Sequence, residues 1–202
     1  MTDYLRDTFT ETSDTVLSSH TPDTGGTWAE HASYATDATV IASEDRVAGG
    51  SDSLNSHYYW STAMPVRNEH DVSCTVRFTQ DTTNTYGAVC CRIDTGAITR
   101  IEIVGNPLAN QWTLNEISAG STIGSDIYDA TIASNTNYIV RLVVIGNEAY
   151  GYIDGTLQMQ RTLTTVTANG YVGMRVRLTA RIDDFVARNV REPQNALMLG
   201  CG

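Results

Sequence analysis

Residues 70–80, HDVSCTVRFTQ, alternate apolar and polar with a period of two. Val72, Cys74, Val76 and Phe78 fall on one face, and Ser73, Thr75, Arg77 and Thr79 on the other. This is the pattern of a strand with one buried side. The polar cluster DTTNT at 81–85 marks a turn, and 86–93 (YGAVCCRI) predicts the return strand. The same reading predicts strands over 38–43, 57–62, 98–104, 111–117, 149–153, 171–178 and 180–188, with TLQMQRTL (156–163) following the hairpin after 149–153. The most apolar stretch, 137–146 (NYIVRLVVIG), predicts a central strand covered on both faces. Gly146-Asn147 and Asp154-Gly155 predict tight hairpin turns on either side of 149–153.

The sum is about a dozen short strands with turns at roughly ten-residue spacing, which predicts a sandwich or jelly roll. No helical period persists, no repeat of fixed length occurs, and no linker divides the chain. The one shift in composition follows residue 190. We therefore expect an all-β, two-sheet antiparallel jelly-roll sandwich over 1–190 and a tail over 191–202.

Composition agrees with strands. Charged residues make up 18% of the chain, below the usual share of about 25%. Thr, Ser, Asn and Gly fill the difference and favour strands and turns over helices. The formal net charge is -10, which repels nucleic acid and anionic membrane surfaces. All 13 basic residues are arginine. That excludes Schiff-base chemistry and a P-loop lysine, and it suits fixed bidentate contacts. No run approaches the ~20 apolar residues of a membrane span. The start, MTDYLRDTFTETSDT, lacks the basic and apolar segments of a signal peptide. Either a leader was removed before Met1 or the chain is made and kept in a cytoplasm; the initial Met favours the second expectation.

Cys74, Cys90, Cys91 and Cys201 fit no zinc spacing. They read as small buried residues in a reducing compartment; Cys74 bonded to Cys90 or Cys91 across neighbouring strands is the alternative. The histidines His20, His31, His57 and His70 show no ligand spacing. His20, in SSHTPD, reads as a residue that hydrogen-bonds a turn and not as a metal ligand.

The order of the segments resembles the concanavalin A-like, laminin-G-like jelly-roll domains found in phage virion proteins and bacterial surface proteins. DTFTETSDTVLSSHTPDTGGTW (7–28) is similar to their opening signature. YGAVCCRIDTGAITRIEI (86–103) and QWTLNEISAGSTIGS (111–125) resemble their central strands. NYIVRLVVIGNEAYGYIDGTLQMQRT (137–162) resembles their strand-turn-strand module, and 170–189 their closing strands. The resemblance implies that the closing strand pairs beside the opening one.

Some members of that group are glycoside hydrolases, with acids at alternate positions such as Glu-x-Asp-x-Glu. Retention of configuration needs two carboxylates about 5.5 Å apart on one face. Here IEIV holds only Glu102, NEIS only Glu116, and the adjacent aspartates of RIDD face opposite ways. The chain is expected to be no enzyme. Members also hold a structural calcium between first and last strands, which implies Asp7, Asp183 and Asp184 as its oxygen donors. Against that, Asp183 reads equally as a solvent-facing residue and Asp184 as a cap on a neighbouring amide. No other cofactor is expected.

Tyr58, Trp60 and Trp112 are the candidates for stacking on a sugar. Tyr58 and Trp60 share one strand face and Tyr59 takes the other, so part of the cluster belongs to the core, as does Trp28. In the tail, Pro193 stops the last strand, and Ala196, Leu197, Met198 and Leu199 form an apolar run unsuited to water. It either folds back on its own sandwich or docks on a neighbouring subunit.

Two functions follow as expectations. The first is a structural virion protein of a tailed bacteriophage, a capsid decoration, fibre or tail accessory that contacts other virion proteins and forms a homo-oligomer. The alternative is a glycan-binding, lectin-like adhesion or receptor-binding module, extracellular or at a cell surface, whose site lies on a sheet face or at loop tips.

Overall fold

The computed structural model describes residues 3–24, 26–31, 38–49, 56–60, 68–80 and 85–190. Within them two antiparallel sheets stack face to face. The larger has nine strands. Along it run β14 (Thr156–Thr162), β13 (Glu148–Ile153), β12 (Asn137–Ile145), β7 (His70–Phe78), β16 (Ala180–Arg188), β5 (Arg46–Ala48), β4 (Thr39–Ile41) and β2 (Thr15–Val16), with β1 (Asp3–Asp7) also paired to β16. The smaller has seven, in the order β11 (Ser121–Asp129), β10 (Gln111–Ser118), β9 (Arg100–Asn106), β8 (Tyr86–Ile93), β15 (Tyr171–Arg177), β6 (Ser56–Trp60) and β3 (Trp28–Glu30). A single 3-10 turn, Leu17–Ser19, interrupts the strands of the described residues.

The period-two faces decide what is buried. From β7 the core takes Val72, Cys74, Val76 and Phe78; from β9, Ile101 and Ile103; from β10, Trp112 and Leu114. All come from alternate positions, so each strand gives one face to a shared apolar layer. The thiols of Cys74 and Cys91 lie in that layer, and Cys74, Cys90 and Cys91 are unbonded. Burial raises the pKa of each, so they are packing groups and poor nucleophiles.

The closing and opening strands lie side by side. Asp7 pairs with Phe185 and Asp3 with Arg188. The other part of β16 pairs with β5, Ile182 opposite Val47. A register break at Asp183–Val186, with Asp184 at φ 50°, lets β5 and β1 follow each other along one edge of β16.

One turn and one strand glycine show the sequence acting directly on the backbone. Asp154 and Gly155 both have positive φ, 49° and 79°, as the two-residue hairpin predicted between β13 and β14 requires. Gly105 in β9 lies where an added Cβ would be 2.6 Å from the Trp112 ring and 2.8 Å from Phe78. Only glycine lets those rings close over the strand.

One expectation is corrected. β12 is central, between β7 and β13, but is not covered on both faces. Val140, Leu142 and Val144 are buried, while Ile139 is 57% exposed on the outer side. Its β-branched run reflects strand preference as much as burial.

Candidate functional site

The outer face of the seven-stranded sheet carries a depression of about 290 Å³ with a mainly polar lining. Strand alternation builds it. In β9, Ile101 and Ile103 point to the core, so Arg100, Glu102 and Val104 point outward. β10 contributes Asn115, which lies opposite Glu102 in register. β15 contributes Arg175, opposite Ala88 of β8. Beneath them Ala88, Cys90, Ile93 and Val104 form a small apolar cluster separate from the main core.

Glu102 organises the polar groups. It is only 1% exposed, yet it faces outward from the sheet. Arg100 Nε donates to its Oε2 at 2.6 Å and Arg175 Nη1 to its Oε1 at 2.9 Å. Asn115 Nδ2 reaches Oε1 at 3.4 Å, and Ser125 Oγ donates to Asn115 Oδ1 at 2.7 Å. The guanidinium of Arg175 also lies 4.9 Å from the centre of the Tyr86 ring, and that of Arg177 5.8 Å from it. Such cation–π contacts hold the long arginine side chains in place. The result is a fixed set of donors and acceptors around an open hollow, the kind of arrangement that orients a polar ligand.

A larger depression, about 550 Å³, lies where Thr39, Ile41, Leu178, Thr179, Asp14 and Arg181 meet. Its charged groups are engaged in holding backbone. Asp14 accepts from Ala42 N at 3.0 Å, and Arg181 donates to Ala180 O at 3.0 Å. It offers shape with little free chemistry.

A second titratable cluster sits in the opening segment. Asp7 is fully buried and accepts from Phe9 N (2.9 Å), His20 Nε2 (2.9 Å) and Trp28 Nε1 (2.5 Å). His20 Nδ1 meets Glu11 at 2.7 Å. Both ring nitrogens thus face carboxylates, and both donate only in the imidazolium. Burial opposes that charge, but the hydrogen bonds to Asp7 and Glu11 outweigh it and raise the His20 pKa. Asp23 binds the amide and hydroxyl of Thr8, at 3.0 and 2.7 Å. These contacts pin the HTPD turn to β1 and are structural.

The aspartates implied for calcium do not come together. The Asp7 oxygens are taken by the donors just named. Asp183 lies near Arg46, 3.8 Å away, and Asp184 N donates to the Asp183 carboxylate at 2.7 Å. Among the described residues no three His, Cys, Asp or Glu side chains are placed to share a metal ion. Burial pushes the Asp183 carboxyl up to about 6 against the hydrogen bond it accepts from Asp184 N. Trp112 is corrected likewise. It is fully buried between Phe78 and Tyr138, at ring distances of 6.1 and 5.6 Å, because it has the core-facing parity of β10. No face is left for a sugar. For Tyr58 and Trp60 the strand is placed but the side chains lie outside the described residues, as does the tail with Ala196, Leu197, Met198 and Leu199.

Sequence reasoning named Glu102 only as an acid without a catalytic mate. It missed Arg100, Tyr86, Asn115, Arg175 and Arg177. Arg100-x-Glu102 on the polar side of one strand was the available signal. Arg175 is 73 residues further along the chain and reaches Glu102 only through the order of strands.

No protein-family model and no curated protein sequence matches this chain. Solved structures do. Carbohydrate binding module CBM66 from Bacillus subtilis superposes with a TM-score of 0.57 at 18% identity, over 88% of this chain and 96% of its own. A Bacillus subtilis protein of unknown function with a galectin-like fold gives 0.61 at 11% identity, over 93% and 100%. The Bacillus licheniformis β-glucanase gives 0.60 at 10% identity, over 89% and 99%. The fold is therefore the concanavalin A-like, galectin-like jelly roll. At these identities the likeness carries the fold alone.

Proposed function

We propose that this chain is a carbohydrate-binding, lectin-like module that holds an oligosaccharide in the depression over β8, β9, β10 and β15. The observation that carries the reading is the Arg100–Glu102–Arg175 network with Asn115, fixed and facing an open hollow. Sugar hydroxyls both donate and accept. Guanidinium, carboxamide and hydroxyl groups held in place answer them with charge-assisted hydrogen bonds of about 1.5–3 kcal/mol each. Because Glu102 fixes the arginines beforehand, little ordering entropy is left for the ligand to offset. A carbohydrate binding module among the fold's neighbours supports the same reading.

The reading is of binding without catalysis. A glycosidase needs two carboxylates facing one bond. Glu102 lies on the outer face, whereas Glu116 shares the core-facing parity of Trp112 and Leu114. The virion role has no observation here that favours it.

The test is a broad oligosaccharide panel, followed by calorimetry on the hits. At least one should bind, and Asn115→Ala should weaken it about tenfold while the melting temperature stays close to wild type. Absence of binding across the panel overturns the reading. Release of reducing ends from any bound sugar overturns its non-catalytic part.

A further inference from the structure

We infer that Asn169-Gly170 is a self-modifying site, at which the folded chain converts Asn169 to aspartate or isoaspartate without an enzyme. Asn169 is the one asparagine in the sequence that is followed by glycine. It is exposed, and with Gly170 it lines an open hollow of about 250 Å³ beside Asp94 and Tyr171. Water therefore reaches it. Gly170 N donates to Asn169 Oδ1 at 3.0 Å. That oxygen is one bond from Cγ, so the nitrogen stands beside the carbon it attacks, close to the ~3–3.5 Å of a near-attack geometry. The hydrogen bond also lies outside the β15 ladder, which begins at Tyr171 opposite Ile93. The nitrogen reacts without first leaving a strand.

The chemistry balances with water alone. A base takes the Gly170 amide proton, the nitrogen bonds to Asn169 Cγ, and the Cγ–Nδ2 bond breaks; Nδ2 leaves as ammonia, carrying a proton equal to the one removed. Water then opens the five-membered imide. Addition at Cγ gives aspartate. Addition at the main-chain carbonyl carbon of residue 169 gives isoaspartate, whose backbone runs through Cβ and Cγ. Packing demands the glycine. A Cβ on Gly170 would lie 2.6 Å from the main-chain carbonyl carbon of Arg92 and 2.8 Å from Ile93 O. The fold thus requires the residue that hinders the attacking nitrogen least. The same tight contact gives the product a consequence. The extra backbone atom of isoaspartate arrives where Gly170 has no room to shift. Arg92 there holds the carbonyls of Val166, Asn68 and Gly146, at 2.9, 2.9 and 2.6 Å. Isoaspartate strains this clamp, whereas aspartate leaves the backbone path unchanged.

The test follows the peptide 162–175, which trypsin releases by cutting after Arg161 and Arg175 and in which Asn169 is the one amide side chain. Intact protein is aged at mildly alkaline pH and then digested. The amide-to-acid mass change and labelling by isoaspartyl methyltransferase are read on that peptide. The same peptide, released first and aged alone, is the reference. The folded chain should convert at no less than about one-tenth of the peptide's rate, and more than about tenfold faster than its other asparagines. Asn169→Gln, with its longer side chain, should remove the conversion at this position. If the folded chain converts more than about tenfold more slowly than the free peptide, the fold shields the pair and the inference is wrong. That comparison needs no variant, so a misfolded Asn169→Gln leaves it intact. The isoaspartate form, separated by chromatography, should unfold at lower denaturant than fresh protein, while Asn169→Asp keeps the original midpoint at neutral pH. Equal midpoints for all three would overturn the strain placed on the Arg92 clamp.

Discussion

Glu102 and Glu116 sit on neighbouring strands, and both are withdrawn from water, at 1% and 0% exposure. Their partners differ. Glu116 accepts from three consecutive backbone amides, Thr164, Thr165 and Val166, at 2.9, 2.6 and 2.9 Å, and from Arg161 at 3.3 Å. It ties the segment between β14 and β15 to β10. Among the described residues Glu102 takes its hydrogen bonds from side chains, two arginines that border a hollow and Asn115. A buried carboxylate satisfied by main chain fixes the fold. One satisfied by side chains held at the rim of a hollow prepares a surface. Burial alone does not separate the two, and the identity of the donors does.

The comparison is broken most sharply at Glu116. Glu116→Ala should lower unfolding free energy by about 3–5 kcal/mol, because buried amides and a guanidinium lose their acceptor together. Denaturant midpoints check this, and the folded fraction should bind ligand as before. Glu102→Ala should cost less, about 1–3 kcal/mol, since its arginines border open space. Ligand affinity should nonetheless fall more than tenfold in calorimetry. If the two variants exchange these outcomes, the assignment of roles is wrong.

Acid sharpens the contrast. Burial works to raise the Glu116 pKa, but the three amides and Arg161 outweigh it and hold the group below its ordinary 4.5. Its contribution is therefore complete above that value and lost as pH falls through the lower folded one. His70 acts in a higher window. Burial and the nearby Arg92 charge push it down to about 3. Its contribution is complete above 6.5 and declines on acidification by about 1.4 kcal/mol per pH unit until the folded value is reached. Glu116→Gln should flatten only the lower limb of stability against pH, and His70→Gln only the upper. His20 runs the other way, since its raised pKa gives stability that is full below 6.5 and lost as pH rises through the folded value. The smallest effect is expected at Arg161→Ala. With the amides still in place, the unfolding free energy should fall by about 1 kcal/mol or less.

Where one face of a strand is buried, the sequence already showed it. β16 occupies the span that alternation predicts, 180–188, and β8, buried on both faces, the return strand expected at 86–93. β11 has no counterpart among the predicted strands. It is the edge of its sheet, most of its side chains are exposed, and STIGSDIYD has no buried face to impose a pattern. Trp112 misled for a related reason, because an aromatic residue carries the same letter whether it is core or platform. The hollow was hidden by distance along the chain. Arg175 and Glu102 become neighbours only when β15 inserts beside β8, and no local spacing encodes that.

The edge shared by β1 and β5 along β16 has a geometric outcome. Asp3 and Arg188 are cross-strand partners, and Arg188 Nε donates to Asp3 at 2.7 Å. The pair lies on the layer opposite Glu102 and its arginines, so the seam that joins the opening and closing strands and the polar hollow occupy different sheets of the sandwich.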